Sequence, residues 1–292
     1  GVAICACGPA GAPPPRHGSV DIGEGRTLFL DCQGTGTPTV LIIPGKGSYA
    51  EAWNVAVPPD DPIRSSPYDI IEQAGLTPSP DATQPLVART TRVCSYDRPN
   101  TRPDGADRST PVPQPHRLGD DVDDVVKLIA AADLGGPLVV AAHSYGGLIA
   151  DLLARTHPEL VSGLVMVDPV SEFLPGLGTA VQNTAFDRDG RVPPGPDGEG
   201  VLFDDAFATI ESAPALPNVP AAVLSSGKFL PAVMLTPENY TQAQIHRSND
   251  LLAAELHTIN RTVADSGHNV MLYAPRDVAD AIDEVVERVR QR

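Results

Sequence analysis

The chain has 292 residues, 41% of them hydrophobic, which is enough apolar side chain to bury a substantial core and to set wholesale disorder aside. A formal net charge of −16 argues against nucleic acid as a partner, because phosphates demand a basic face, and against an anionic membrane surface. No run approaches the roughly 18 apolar residues that a membrane-spanning helix needs.

In chain order, Gly1 to Gly8 reads as the tail of an apolar targeting segment followed by a Pro/Gly/Ala tether, so residues 1–16 are expected to lie outside the folded domain. Ile4-Cys5-Ala6-Cys7 resembles a bacterial lipoprotein box with Cys7 as the lipid-bearing residue. That resemblance implies export, and a secreted or cell-envelope location.

From there, strands are expected over His17 to Ile22, Thr27 to Cys32, Thr39 to Ile43, Thr91 to Tyr96, Leu138 to Ala142, Leu164 to Val167, Ala221 to Ser225 and Ile259 to Val263. The third, fifth and sixth are near-continuous apolar runs, the pattern of strands buried on both faces. Helices alternate with them. After Asp120, Val122, Val125, Val126 and Ile129 form one stripe; after Tyr145, Leu148, Ile149, Leu152 and Leu153 form another, ending at Pro158. A last helix opens at Pro275, with Val278, Ile282, Val285, Val286 and Val289 as its apolar face. The alternation predicts an α/β architecture, a mostly parallel eight-stranded sheet with helices on both faces.

Cys32 and Cys94 lie in two of these strands, so a bridge is feasible if the strands are neighbours; two buried free thiols are the alternative. Residues 17–169 and 221–292 form the expected core. The Pro-rich stretches 54–88 and 170–220 break the alternation and are expected as a lid-like insertion and a short cap, both near strand ends where open α/β sheets bind ligands. The acidic runs Asp60-Asp61 and Asp120 to Asp124 suit a solvated loop and a helix start, and neither metal nor other cofactor is expected.

The chemistry concentrates in Leu138-Val139-Val140-Ala141-Ala142-His143-Ser144-Tyr145-Gly146-Gly147. A buried strand runs into Ser144 and a helix follows at once, with small residues, Ala142 and Gly146, two positions to either side. A helix N-cap serine is the competing reading. The segment resembles the G-x-S-x-G elbow of the α/β-hydrolase family, with alanine for the first glycine. The resemblance, which spans nearly the whole chain, implies Ser144 as nucleophile and the backbone N–H of Tyr145 as one oxyanion donor. In Ile43-Pro44-Gly45-Lys46-Gly47, Pro-Gly stands in place of the family's His-Gly, so Lys46 would give the second N–H while Gly45 lets substrate approach. Trp53 resembles a tryptophan often found after this loop and is placed, with Gly45 and His143, among the substrate-binding residues.

His268, in Asp265-Ser266-Gly267-His268-Asn269 after the last strand, matches the family's late histidine and is the expected base. His143 adjoins the nucleophile and cannot swing onto its hydroxyl; His116, His157, His246 and His257 read as loop or helix-face residues. The third member is Asp168, which ends the sixth strand, with Glu172 and Glu238 as alternatives. Gly34 to Val40 with Val93 to Pro99 looks like exported actinobacterial α/β-hydrolases, in which the two cysteines pair; Asn100 stands where many relatives carry glycine. Together these residues imply a serine hydrolase acting on a small-molecule ester. Lactonase, peptidase, C–C hydrolase and perhydrolase chemistry remain open with the same triad, as does a non-catalytic envelope binding protein on this scaffold. A serine at the elbow disfavours epoxide opening and dehalogenation, whose family members place aspartate there.

Overall fold

The computed structural model describes residues 16–102 and 106–292; Cys5, Cys7 and the expected lipid anchor fall outside the described residues. A central sheet contains β1 (Arg16–Gly23), β2 (Arg26–Gln33), β3 (Val40–Ile43), β4 (Val93–Tyr96), β5 (Leu138–His143), β6 (Val161–Val167), β7 (Ala221–Ser226) and β8 (Asn260–Val263). Their order across the sheet is β1-β2-β4-β3-β5-β6-β7-β8. The β1–β2 and β2–β4 pairs are antiparallel, and every later pair is parallel. This is the mostly parallel eight-stranded sheet that the alternation of patterns implied. Arg16 already pairs with Cys32, so the first strand claims the last residue assigned to the tether.

The longer helices are α1 (Thr83–Ala88), α2 (Leu118–Ala131), α3 (Gly146–Thr156), α4 (Ala180–Arg191), α5 (Phe203–Glu211), α6 (Gln242–Glu255) and α7 (Pro275–Arg290). The two faces of the sheet carry separate cores. On one, Leu41, Val140 and Met166 pack with α2, α3, α5 and α6 through Val125, Leu152, Ile210 and Leu252. On the other, Ile42, Val139 and Val165 meet α1 and the α7 stripe Val278, Ile282, Val285 and Val286. Alternate residues of one buried strand thus serve opposite cores, as a period of two dictates. Each fully buried Val or Ile contributes about 1.5–3 kcal/mol, so the α7 stripe alone holds the C-terminal helix firmly.

The stretch 54–88 differs from the lid expected of it. Val57, Ile63, Leu86 and Val87 are buried in the second core, and α1 packs there as well. Arg64 ties the stretch down through the carbonyls of Val57, Pro58 and Tyr273. Its prolines end regular elements without preventing burial. By contrast, 170–220 carries α4 and α5 over the carboxyl end of β6, where cap residues face a cavity.

Cys32 and Cys94 are register partners on β2 and β4 and form a disulfide closing a 62-residue separation. A cross-link over a loop of that size restricts the unfolded chain and contributes about 2–4 kcal/mol. The Cys32→Ala/Cys94→Ala variant is expected to lose about that much in urea unfolding, whereas unchanged stability would show that the bond does not constrain the unfolded state.

Candidate active site

The site begins with the way β5 ends. Ser144 follows His143 directly, at φ +54°, in the left-handed region that non-glycine residues enter at a cost. The turn is held on both sides: the Ser144 N–H donates to Val167 O (3.3 Å), and the Ser144 carbonyl accepts from Val170 N (2.9 Å). Its crowding explains the small neighbours. A Cβ on Gly146 would come within 2.4 Å of the Ile43 carbonyl oxygen, and one on Gly147 within 2.7 Å of Pro169 Cβ.

Asp168 leaves β6 with φ +39° and is buried. Its Oδ2 accepts from His268 Nδ1 (2.6 Å) and Ser226 Oγ (3.0 Å), and its Oδ1 from the Ser226 N–H (3.2 Å). Burial pushes this carboxyl up, but the His268 and Ser226 bonds outweigh it and hold the pKa below the ordinary value. On the other side of the ring, Ser144 Oγ lies 3.0 Å from His268 Nε2. Burial alone would lower the His268 pKa; the bond to Asp168 and its charge, with a further contribution from Asp69, raise it instead.

His143 is sorted the other way. It is buried, its Nε2–H donates to the His268 carbonyl (2.8 Å), and its pKa is pushed down to about 3 by desolvation and then by the charge of His268. A neutral ring therefore supports His268 from behind. Gly45 closes this side: a Cβ there would sit 3.0 Å from His143 Nδ1 and 3.2 Å from Ser144 Cβ.

Ser144, Tyr145, Lys46, Asp168 and His268 line one cavity of about 530 Å3. Its far walls are apolar. Leu174, Phe186 and Phe203 come from the cap, Phe229 and Leu230 from the loop after β7, and Ile245 from α6. Phe186 packs against Phe203 (4.3 Å between centroids) and Tyr240 (5.3 Å), so the cap wall is a rigid aromatic cluster. A larger hollow of about 730 Å3 between β8 and α7, walled by Arg261, Asp265 and Glu284, lies apart from Ser144 and His268.

A sequence model described as "Alpha/beta hydrolase family" matches residues 40–281. The chain is an alpha/beta hydrolase. The fold of this hydrolase is similar to that of a thermophilic esterase from Thermogutta terrifontis (17% identity, 94% of this chain and 99% of that one, TM-score 0.56). It is also similar to Est816, titled an N-acyl homoserine lactone degrading enzyme (16%, 92% and 100%, 0.56), and to the epoxide hydrolase CorEH (14%, 96% and 100%, 0.57). An uncharacterized protein of Schizosaccharomyces pombe is 35% identical over 85 residues, spanning 29% of the hydrolase and only 15% of that protein.

Of the three residues expected at the substrate, Gly45, Trp53 and His143, none lines the cavity. Trp53 is fully buried in the core with Val57 and Ile63, because the turn after β3 folds inward beneath the site. His143 does not line the cavity; its ring is spent on the His268 carbonyl. The alternative acids lie elsewhere too. Glu172 pairs with Arg155 (2.8 Å), and Glu238 pairs at the surface with Arg188 (2.8 Å). His246, expected as an ordinary helix-face residue, lines the cavity and bonds Ser226 O (2.7 Å). Asn100 has φ +63°, the left-handed region that glycine enters most readily, and its side chain also holds Asp197 O and the Val112 N–H.

Sequence reasoning missed the clamp on the Pro44–Gly47 loop. Arg98 donates to the Pro44 and Gly45 carbonyls (2.6 Å each) and to Glu199 (2.8 Å), and Glu199 accepts from the Gly47 N–H (2.9 Å). The two charged side chains are 1% and 0% exposed. Burial pushes the Glu199 carboxyl up, and the Arg98 charge overrides it and pulls it down. Next to it, buried His116 faces two acceptors, Gln114 Oε1 and Asp121 Oδ2 (2.7 Å each), while Tyr145 Oη donates to Asp121. No motif signals Glu199, which sits in the irregular part of the cap. Breaking a buried pair by removing one partner costs about 3–5 kcal/mol. Glu199→Gln is expected to lose that much in chemical denaturation, and a loss below about 1 kcal/mol would show that the clamp is not structural.

Proposed function

We propose that this hydrolase cleaves carboxylic esters with an apolar acyl group through an acyl-enzyme on Ser144. The observation that carries the reading is the continuous Ser144–His268–Asp168 hydrogen-bond chain at the floor of an apolar cavity. An unperturbed serine is a poor nucleophile and needs a base in proton-transfer range.

His268 Nε2 takes the Ser144 proton as the oxygen attacks the ester carbonyl. Negative charge builds on the carbonyl oxygen, and the backbone N–H groups of Tyr145 and Lys46, on the two loops that meet at Ser144, are assigned to it. His268 then returns its proton to the departing alcohol. In the second half it deprotonates water, which attacks the acyl-enzyme, and it returns that proton to Ser144 Oγ as the acid is released. Asp168 stays ionised throughout, fixing the ring and balancing its charge. The acyl chain extends along Leu174, Phe186 and Phe229, where each buried methylene contributes about 0.8 kcal/mol. The Cys32–Cys94 bond supports residence in an oxidising compartment, hence secretion or attachment to the envelope.

Labelling by a fluorophosphonate probe is expected for the wild type and lost in Ser144→Ala, with Asp168→Asn lowering kcat by about 10^4-fold while the fold persists. A folded wild type that does not label would remove the acyl-enzyme. Across p-nitrophenyl esters, kcat/KM is expected to rise at least about tenfold from acetate to octanoate, since several methylenes reach the apolar wall. Equal values for the two would show that the cavity does not receive the acyl chain.

A further inference from the structure

We propose that Asp69 is a positioning residue for the base, a second carboxylate that holds the main chain of His268 and adds negative charge beside its imidazole. The proposal rests on the reading of His268 as base. Asp69 comes from the 54–88 stretch and lines the cavity. Its Oδ2 accepts from the His268 backbone N–H (2.9 Å), and its Oδ1 accepts from Tyr273 Oη (2.9 Å). Its own N–H donates to Phe229 O (3.0 Å). One residue therefore joins three segments: its side chain ties the histidine loop to the segment that leads into α7, and its main chain ties both to the loop after β7.

The approach is close enough to dictate a neighbour. A Cβ on Gly267 would lie 2.2 Å from Asp69 Cγ and Oδ1, so the residue before the base must be glycine for the carboxylate to reach it. The histidine backbone is then held at both ends, its N–H by Asp69 and its carbonyl by His143, while Asp168 holds the ring. A loop residue fixed at three points keeps Nε2 on the serine oxygen without help from substrate, which is the geometric requirement of general-base catalysis.

The groups around the imidazole come from several elements. Asp168 lies at the end of β6, neutral His143 at the end of β5, and Asp69 on the 54–88 stretch. Tyr273, on the segment before α7, bonds Asp69, with Lys228 5.8 Å from its ring centroid. His246 on α6, Lys46 on the loop after β3 and Asp189 on α4 line the same cavity. Two carboxylates favour the imidazolium. Removing the Asp69 charge therefore lowers the His268 pKa, and the neutral base persists to lower pH.

Three readouts test this on the full chain. In Asp69→Asn, kcat for octanoate ester is expected to fall about tenfold, the effect of losing one hydrogen bond to a charged group, with KM unchanged. The acid limb of kcat/KM is expected to move to lower pH. The His268 imidazole titration, followed by NMR with 13C-labelled histidine, is expected to move the same way. Asp69→Glu keeps the charge and misplaces it, so kcat falls while the acid limb stays near that of the wild type. A folded Asp69→Asn variant with wild-type kcat, acid limb and titration would overturn the role of Asp69 and leave the ester reading standing. Should the asparagine variant not fold, wild-type kcat in Asp69→Glu would overturn it equally. A wild type that fails to label with fluorophosphonate sinks the catalytic reading instead, and the NMR titration still reports whether Asp69 charges the ring.

Discussion

Ser144 and Asp168 share one rim of the molecule because β5 and β6 run parallel and in register, with His143 opposite Val167. Everything catalytic depends on that alignment. The next residue of each strand turns out of the sheet with positive φ, +54° for the serine and +39° for the aspartate, so both side chains leave the ladder at the same level. Main-chain bonds from Ser144 N to Val167 O and from Asp168 N to Leu224 O hold the turns in place. The strain is local and is offset by two dry cores, one on each face of the sheet, which leave the strands no freedom to slide.

Two histidines 4.6 Å apart then acquire opposite characters from their surroundings. His143 is buried and pushed down to about 3, so it stays neutral and serves as a hydrogen-bond donor to its neighbour's backbone. His268 opens onto the cavity and faces Asp168, which raises its pKa against the pull of burial. A cation is therefore tolerated on the His268 ring and refused on the His143 ring. The division of labour follows from desolvation and from the carboxylates of Asp168 and Asp69.

The apolar chamber is bounded on the opposite side by charge. Arg98 and Glu199 fasten the loop after β3 from beneath, and the aromatic cap of Phe186 and Phe203 covers the space above the serine. Lys46 reaches across the boundary, its ammonium donating to Val192 O (2.8 Å) at the end of α4. The cap is thus tied to the loop that carries an assigned oxyanion donor.

Short-range features were legible in the chain itself. The buried run into Ser144, the glycines at 146 and 147, the late Gly267-His268 pair and the aspartate ending the sixth strand are all local patterns, set by sterics and by the periods of helix and strand. They determined the strand order in sequence, the helical stripes and the identity of Ser144, His268 and Asp168 as candidates. Only the tertiary structure decided that Trp53 faces the core, that His143 bonds the His268 carbonyl rather than lining the cavity, that Asp69 bonds the His268 backbone, and that Arg98 pairs with Glu199. Asp69 meets His268 across 199 residues and Arg98 meets Glu199 across 101, and both Asp69 and Glu199 come from proline-rich stretches that carry no periodicity. A side chain's partner there depends on where two irregular loops cross, and no local pattern encodes a crossing.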